Sequence, residues 1–310
     1  CKYNAMTNLP VSVKFLDSAA SSAAKARGVE PIWSTADPLD VATALKCINA
    51  FQVRVNVETL EALDDENNAK PLIAAARILQ STAQHLRSAN KPSNSADIND
   101  LLLYSALAFA MHGNFPSAHA ALLDISSDFL EESLMLRMVV AICDPCDKSV
   151  RYSSGDIEFE PFRRSWYLAL RSKYSQVRNK EFRHALKLFT ETALAGTMAE
   201  GALMLGGRMA AHQAKRLATA NLLDDAAEIP NWFIRNSIKS GMVTLLPPQH
   251  MLLSKRRIAR HRRNTLLTLP TSTGKTFVAE ACIASGLVND GLCVYVAPLS
   301  LIHISEPTRH

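Results

Sequence analysis

The chain has 310 residues, 48% hydrophobic and 20% charged, with a net charge of +5. This balance suits an ordered chain of about two domains and excludes a disordered polyelectrolyte. No apolar run reaches the ~18 residues of a membrane span, so no membrane partner and a cytoplasmic location are expected. The start, Cys1-Lys2-Tyr3-Asn4, has no following apolar core and no initiator Met. No signal peptide is expected there, and the chain is expected to begin inside a longer protein.

Residues 1–70 form a poorly patterned segment. Within it 18–26 is Ala/Ser-rich and reads as a helix or a loose arm. Val41, Leu45, Ile48 and Phe51 give helical spacing over 40–51, and 64–68 reads as a polar linker. From 71 to 228 the pattern is a helical accessory region of helix pairs. Pro71 fits the first position of a helix that Leu72, Ala75, Leu79 and Leu86 line on one face. Residues 88–97 have linker composition. Asp97 or Asn99 is placed to cap a helix over 101–112 that stops at Gly113, and Phe115-Pro116 opens the next, ending near Asp124. With its small residues Ala106, Ala108, Ala110, Ala118 and Ala121, that pair resembles half a tetratricopeptide hairpin. No second copy follows at a fixed period.

Asp128-Phe129-Leu130-Glu131 has the form of a capping box and is expected to open a helix over 130–142. Residues 144–160 read as a linker. Amphipathic helices are expected over 161–173 and 181–194, the latter ended by Gly196. One helix or a pair follows over 198–223, then a short helix within 229–241 stopped by glycine. Such helix pairs build a scaffold, or a docking surface for a protein partner, as readily as a domain core.

Six cysteines stand at 1, 47, 143, 146, 282 and 293. Cys143 and Cys146 make a lone C-x-x-C. Zinc needs two more ligands, and a redox pair needs a strand-to-helix setting, so incidental thiols are the favoured reading over either. The histidines show no H-x-x-x-H or H-E-x-x-H pattern, and His112 and His119 read as structural. Lys255-Arg256-Arg257-Ile258-Ala259-Arg260-His261-Arg262-Arg263 holds six cationic side chains in nine residues. It reads as a solvated helix face, favoured over a contact to nucleic-acid phosphates. No interleaved aromatic residue offers a base-stacking platform.

The stretch 264–299 carries the chemistry. A β-rich run over 265–269 enters a tight turn ending in Gly274-Lys275-Thr276. A helical run over 277–284 follows at once, and a second apolar strand is expected over 292–297. This is the strand–loop–helix–strand context of a phosphate-binding loop. Gly274 lets the backbone approach an anion at a helix N-terminus. Lys275 reaches the β- and γ-phosphates, and the Thr276 hydroxyl takes one position on Mg²⁺. The pattern G-x-x-x-x-G-K-[ST] is not met in full, because its first position holds Leu269.

Pro270-Thr271-Ser272-Thr273-Gly274-Lys275-Thr276 resembles motif I of superfamily 2 DEAD/DEAH-box helicases, which tolerates a non-Gly residue at that first position. Val296-Ala297-Pro298-Leu299 resembles motif Ia, and Leu245-Leu246-Pro247-Pro248-Gln249 lies at about the spacing of the Q-motif. The Thr-Ser pair leans towards the large DExH type. The resemblance spans about 230–299. It implies the start of an α/β RecA-like P-loop domain, incomplete over 229–299, behind a mainly α-helical N-terminal region. It implies ATP and Mg²⁺ as cofactors, with Gln249 on the adenine. Thr271, Ser272, Thr273, Gly274, Lys275 and Thr276 hold the phosphates, Thr276 also meets the metal, and Pro298 and Leu299 touch a nucleic-acid backbone of DNA or RNA.

The D-E-x-H strand, the S-A-T-type motif and the second RecA-like domain of that family are absent from this sequence. No catalytic residue is therefore assigned. The full-length protein is expected to be an ATP-hydrolysing helicase or translocase, and this chain an inactive N-terminal fragment ending just after motif Ia. Residues 300–310 depart from the family and are expected to be a non-native tail. The rival readings are another P-loop NTPase, such as a kinase or AAA+ protein, and a helical interaction scaffold with an incidental Gly-Lys-Thr.

Overall fold

Ala and Leu lose little side-chain freedom in a helix, and the computed structural model is mainly helical. It describes residues 38–54, 66–88, 95–131, 133–146, 157–260, 266–267, 274–288 and 293. Among these there is no strand, only an isolated antiparallel bridge between Ala218 and Thr244. No described helix is long and apolar enough to cross a membrane.

The helices are α1 (Pro38–Arg54), α2 (Glu66–Ser88), α3 (Ser95–His112), α4 (Phe115–Leu122), α5 (Ser127–Glu131), α6 (Leu134–Cys143), α7 (Glu160–Arg171), α8 (Ser175–Ala195) and α9 (Met198–Arg216). A 3₁₀ turn (Thr219–Asn221) leads into α10 (Leu222–Asp225). Then come α11 (Asn231–Ser240), α12 (Pro247–His250), a π turn (Met251–Lys255), a 3₁₀ turn (Ile258–Arg260) and α13 (Lys275–Val288).

Sequential helices pack as pairs, α2 on α3, α3 on α4 and α7 on α8, with α9 lying across α3, α6 and α8. Their shared core runs from Ala44 to Ala218 and takes in Val243. Ser105 and Trp166 bring polar groups into that core with partners, as burial without one costs about 1–3 kcal/mol. Ser105 Oγ donates to the Ala76 carbonyl at 2.7 Å, and Trp166 Nε1 donates to the Ala141 carbonyl at 2.9 Å. A second core holds Ala220, Leu222, Ile229 and Ile234 with Leu252, Leu253, Phe277 and Val278.

Glycine and capping signals set several ends as expected. Gly113 (φ +89°) follows α3 and Gly241 (φ +109°) follows α11, while Asn114 Oδ1 accepts from Ser117 N at 3.3 Å to open α4. Elsewhere the boundaries moved. Pro71 lies inside α2, whose first turn begins at Glu66 in the expected linker. Asn99 caps nothing on α3. It sits within that helix, and its amide binds Ser126, donating to Oγ at 3.0 Å and accepting from N at 3.3 Å. Asp128 begins only the short α5, and Ser133 caps α6 through Met135 N at 3.1 Å. The expected arm at 18–26 lies outside the described residues. So do the two strands, apart from Leu266, Leu267 and Cys293, which carry no strand.

One buried charge cluster gives a pH prediction. Arg178, 1% exposed in its side chain, pairs with Asp224 and donates to the Ser172 carbonyl at 2.9 Å. Lys215 lies close by. Burial, then the Arg178 charge, lowers its pKa from 10.5 to about 8, against the pull of Asp224. Between those values the unfolded chain holds more protons than the folded one, so stability rises with pH. The penalty is complete below about pH 8 and relieved towards pH 10.5. Urea melts across pH 7.5–10.5 should show that rise, and Lys215→Met should flatten it while raising the midpoint at pH 7.

Candidate nucleotide-binding site

The site begins where α11 ends at Gly241. The chain then turns back and pairs with the end of α9: Thr219 N donates to the Val243 carbonyl at 2.9 Å and Leu245 N to the Leu217 carbonyl at 2.7 Å. Pro247 and Pro248 follow. A proline fits the first turn of a helix, where its missing N–H is no loss, and α12 starts at Pro247. The turn continues in π form, with Arg256 N donating to the Met251 carbonyl at 2.8 Å. Such irregular turns cluster at functional positions.

Gln249 is 3% exposed, and its amide has both ends engaged. Oε1 accepts from Leu246 N at 2.8 Å, and Nε2 donates to the Gly274 carbonyl at 3.1 Å. Gly274 holds φ +69°, and a Cβ there would stand 2.1 Å from Gln249 Nε2 and 3.1 Å from its Cδ. Only glycine meets both conditions without strain.

Directly after Gly274, α13 presents Lys275 and Thr276 to solvent on its first turn. Its other face is anchored. Phe277 and Val278 are buried, Phe277 stacks on Phe233 at 5.5 Å between centroids, and Ser285 Oγ donates to the Ala259 carbonyl at 3.1 Å. A helix N-terminus carries about half a positive charge, and this one adds a cation and a hydroxyl. Gln249 and Gly274 are thus in contact, with Lys275 and Thr276 next in line. Thr271, Ser272, Thr273, Pro298 and Leu299 lie outside the described residues.

Gln249 and Gly274 also line a pocket of about 660 Å³. Its near side is completed by Gly241, Met242, Thr244 and Leu246. Phe115, Pro116 and His119 of α4, with Asp144 and Cys146 beyond α6, make the far side. His119, expected to be structural, has a buried partner: its Nδ1 lies 2.6 Å from Asp144 Oδ2, and the Asp144 side chain is 7% exposed. The pair is separated by 25 residues in sequence, so no local spacing announces it. Residues 144–146, expected to begin a linker, form a pocket wall.

Cys143 and Cys146 are free thiols. Burial pushes both up in pKa, reinforced at Cys143 by the Asp144 charge, while at Cys146 a Val243 backbone hydrogen bond pulls the other way. Neither is an activated nucleophile. Among the described residues no group of three His, Cys, Asp or Glu side chains is placed to hold a metal ion. Over its described part, to Arg260, the basic run is not one helix face. It passes from the π turn to a 3₁₀ turn, and Arg257, at φ +48°, forks onto Glu228 at 2.7 and 3.3 Å. No family model matches this chain, and no solved structure matches it.

Proposed function

We propose that this chain supplies the ATP-holding part of a superfamily 2-type helicase or translocase acting on nucleic acid, in which 229–299 begins a RecA-like P-loop domain. The observation that carries the reading is the hydrogen bond from Gln249 to the Gly274 carbonyl, immediately before Lys275 and the open start of α13. It joins two sequence motifs 25 residues apart in the way a shared nucleotide site requires. Each end of the Gln249 amide has one hydrogen-bonding position beyond those used by Leu246 and Gly274. That leaves a donor and an acceptor side by side, the complement of adenine N7 and its exocyclic amine. Lys275 supports the phosphates. Thr276 fits one position on Mg²⁺, whose other ligands come from phosphate oxygens and water. Bound Mg²⁺ would neutralise phosphate charge. The sequence has no D-E-x-H strand to complete the metal site, so the chain binds ATP weakly and does not turn it over.

Calorimetric titration with Mg·ATP tests this. Lys275→Ala should weaken binding about tenfold or more, since a charge-assisted hydrogen bond contributes about 1.5–3 kcal/mol. Equal affinity of wild type and variant would remove Lys275 from the site. ATP hydrolysis that disappears in Lys275→Ala would show that the chain is catalytically complete.

A further inference from the structure

The pocket beside Gln249 is shared between the two parts of the chain, and one side of it belongs to the helical region. We propose that α4 and the turn after α6 form the second wall of the nucleobase site, with His119 as the base- or ribose-contacting group and Asp144 as the residue that positions it. The inference rests on the ATP reading above and assigns to that site residues from outside the nucleotide motifs.

The argument starts from continuity. Gly274, the residue before Lys275, and Gln249 line the same space as Phe115, His119 and Asp144. A ligand with phosphates at the start of α13 and a base edge on Gln249 therefore has its base and sugar inside this pocket. The volume of about 660 Å³ lies within the ~300–1,000 Å³ of small-molecule sites. Phe115, Pro116, Met242 and Leu246 provide apolar walls suited to a flat heterocycle, while His119, Thr244 and Gln249 provide hydrogen-bonding groups.

The orientation of His119 follows from its partner. A carboxylate accepts, so Nδ1–H donates to Asp144 Oδ2 at 2.6 Å, and in the tautomer this selects Nε2 is the acceptor. That acceptor suits an adenine amine or a ribose hydroxyl. The buried carboxylate fixes the tautomer, and the half-exposed ring faces the ligand space. Adenine also matches the donor–acceptor edge of Gln249, whereas guanine presents two acceptors.

The test measures binding of ATP, adenosine and inorganic tripolyphosphate, each with Mg²⁺, to the full chain. His119→Ala should weaken ATP and adenosine about tenfold, one well-placed hydrogen bond together with its stacking surface, and leave tripolyphosphate unchanged. His119→Trp, which fills the pocket, should exclude adenosine and spare tripolyphosphate. Both variants take a partner from the buried Asp144 carboxylate and should melt somewhat lower, so binding is compared at a temperature where each is folded, with tripolyphosphate binding as the control. If ATP affinity is unchanged in His119→Ala but lost in Lys275→Ala, the phosphate loop stands and the second wall falls. If His119→Ala weakens tripolyphosphate as much as ATP, the effect is not on the base and the proposal is overturned. If wild type binds neither ATP nor tripolyphosphate, the nucleotide reading fails and the proposal with it.

Discussion

Gly207→Leu is expected to lower stability by about 3 kcal/mol or more, although leucine is a far better helix former than glycine. Gly207 lies mid-way along α9 and faces Phe189 on α8. A Cβ there would stand 2.4 Å from Phe189 Cζ and 3.0 Å from Cε1. The ring is fully buried, so it has no solvent-facing rotamer to escape into. Close-packed interiors respond to added volume with off-rotamer side chains and shifted backbone. Gly207→Ala separates the two effects: about 1 kcal/mol of helix preference is regained against a clash of about 1–3 kcal/mol. Its net loss should be small. For a chain of this size the leucine variant should melt roughly 6–12 °C lower. A double-mutant cycle with Phe189→Ala checks the cause. If the ring is the obstacle, the double variant is more stable than the sum of the single losses by at least about 1 kcal/mol. Simple additivity would refute the contact.

Gly274→Val should weaken Mg·ATP binding about a hundredfold while leaving the helical body folded. Two costs combine. A β-branched residue at φ +69° is strained by about 1–3 kcal/mol. The new side chain also enters the space of the Gln249 amide, 2.1 Å from Nε2. That amide is the end of a flexible side chain, but it is buried and bonded at both ends, so moving it breaks its links to Leu246 and Gly274. About 3 kcal/mol in total corresponds to the hundredfold. The melting curve is the control, because the first core contains neither residue. Unaltered ATP binding would mean that the left-handed turn at Gly274 plays no part in holding nucleotide.

Helices were legible where glycine or a local cap punctuates the sequence. Gly113, Gly196 and Gly241 end α3, α8 and α11 because each signal acts within one turn. Pro71 misled because α2 carries it as its sixth residue, past the first turn where a proline costs nothing, and Glu66 to Lys70 carry no apolar stripe to reveal the earlier start. Asp128 misled because a local cap cannot tell one turn from four. In the site, Gln249 and Gly274 were singled out by resemblance to two separate motifs, but their contact is visible only in the fold. The far wall was not. His119 and Asp144 meet only because α4 and the end of α6 are brought together in the first core, and neither carries a sequence signature by itself. The RecA-like character of 229–299 rests on resemblance, since the expected strands lie outside the described residues except at Leu266, Leu267 and Cys293, which carry no strand.

The bridge between the end of α9 and the segment before Gln249 has a mechanical consequence. Leu245 is hydrogen-bonded to Leu217, one residue past a 19-residue helix that at 1.5 Å per residue is about 28 Å long. Gln249 lies four positions further along the chain. Gln249 is thus tied directly to Leu246 and to Gly274 at the foot of α13, and through Leu245 to the foot of α9. The bridge thus fastens the segment before Gln249 to the helical body by two backbone hydrogen bonds, while α9 itself is held along its length by α3, α6 and α8.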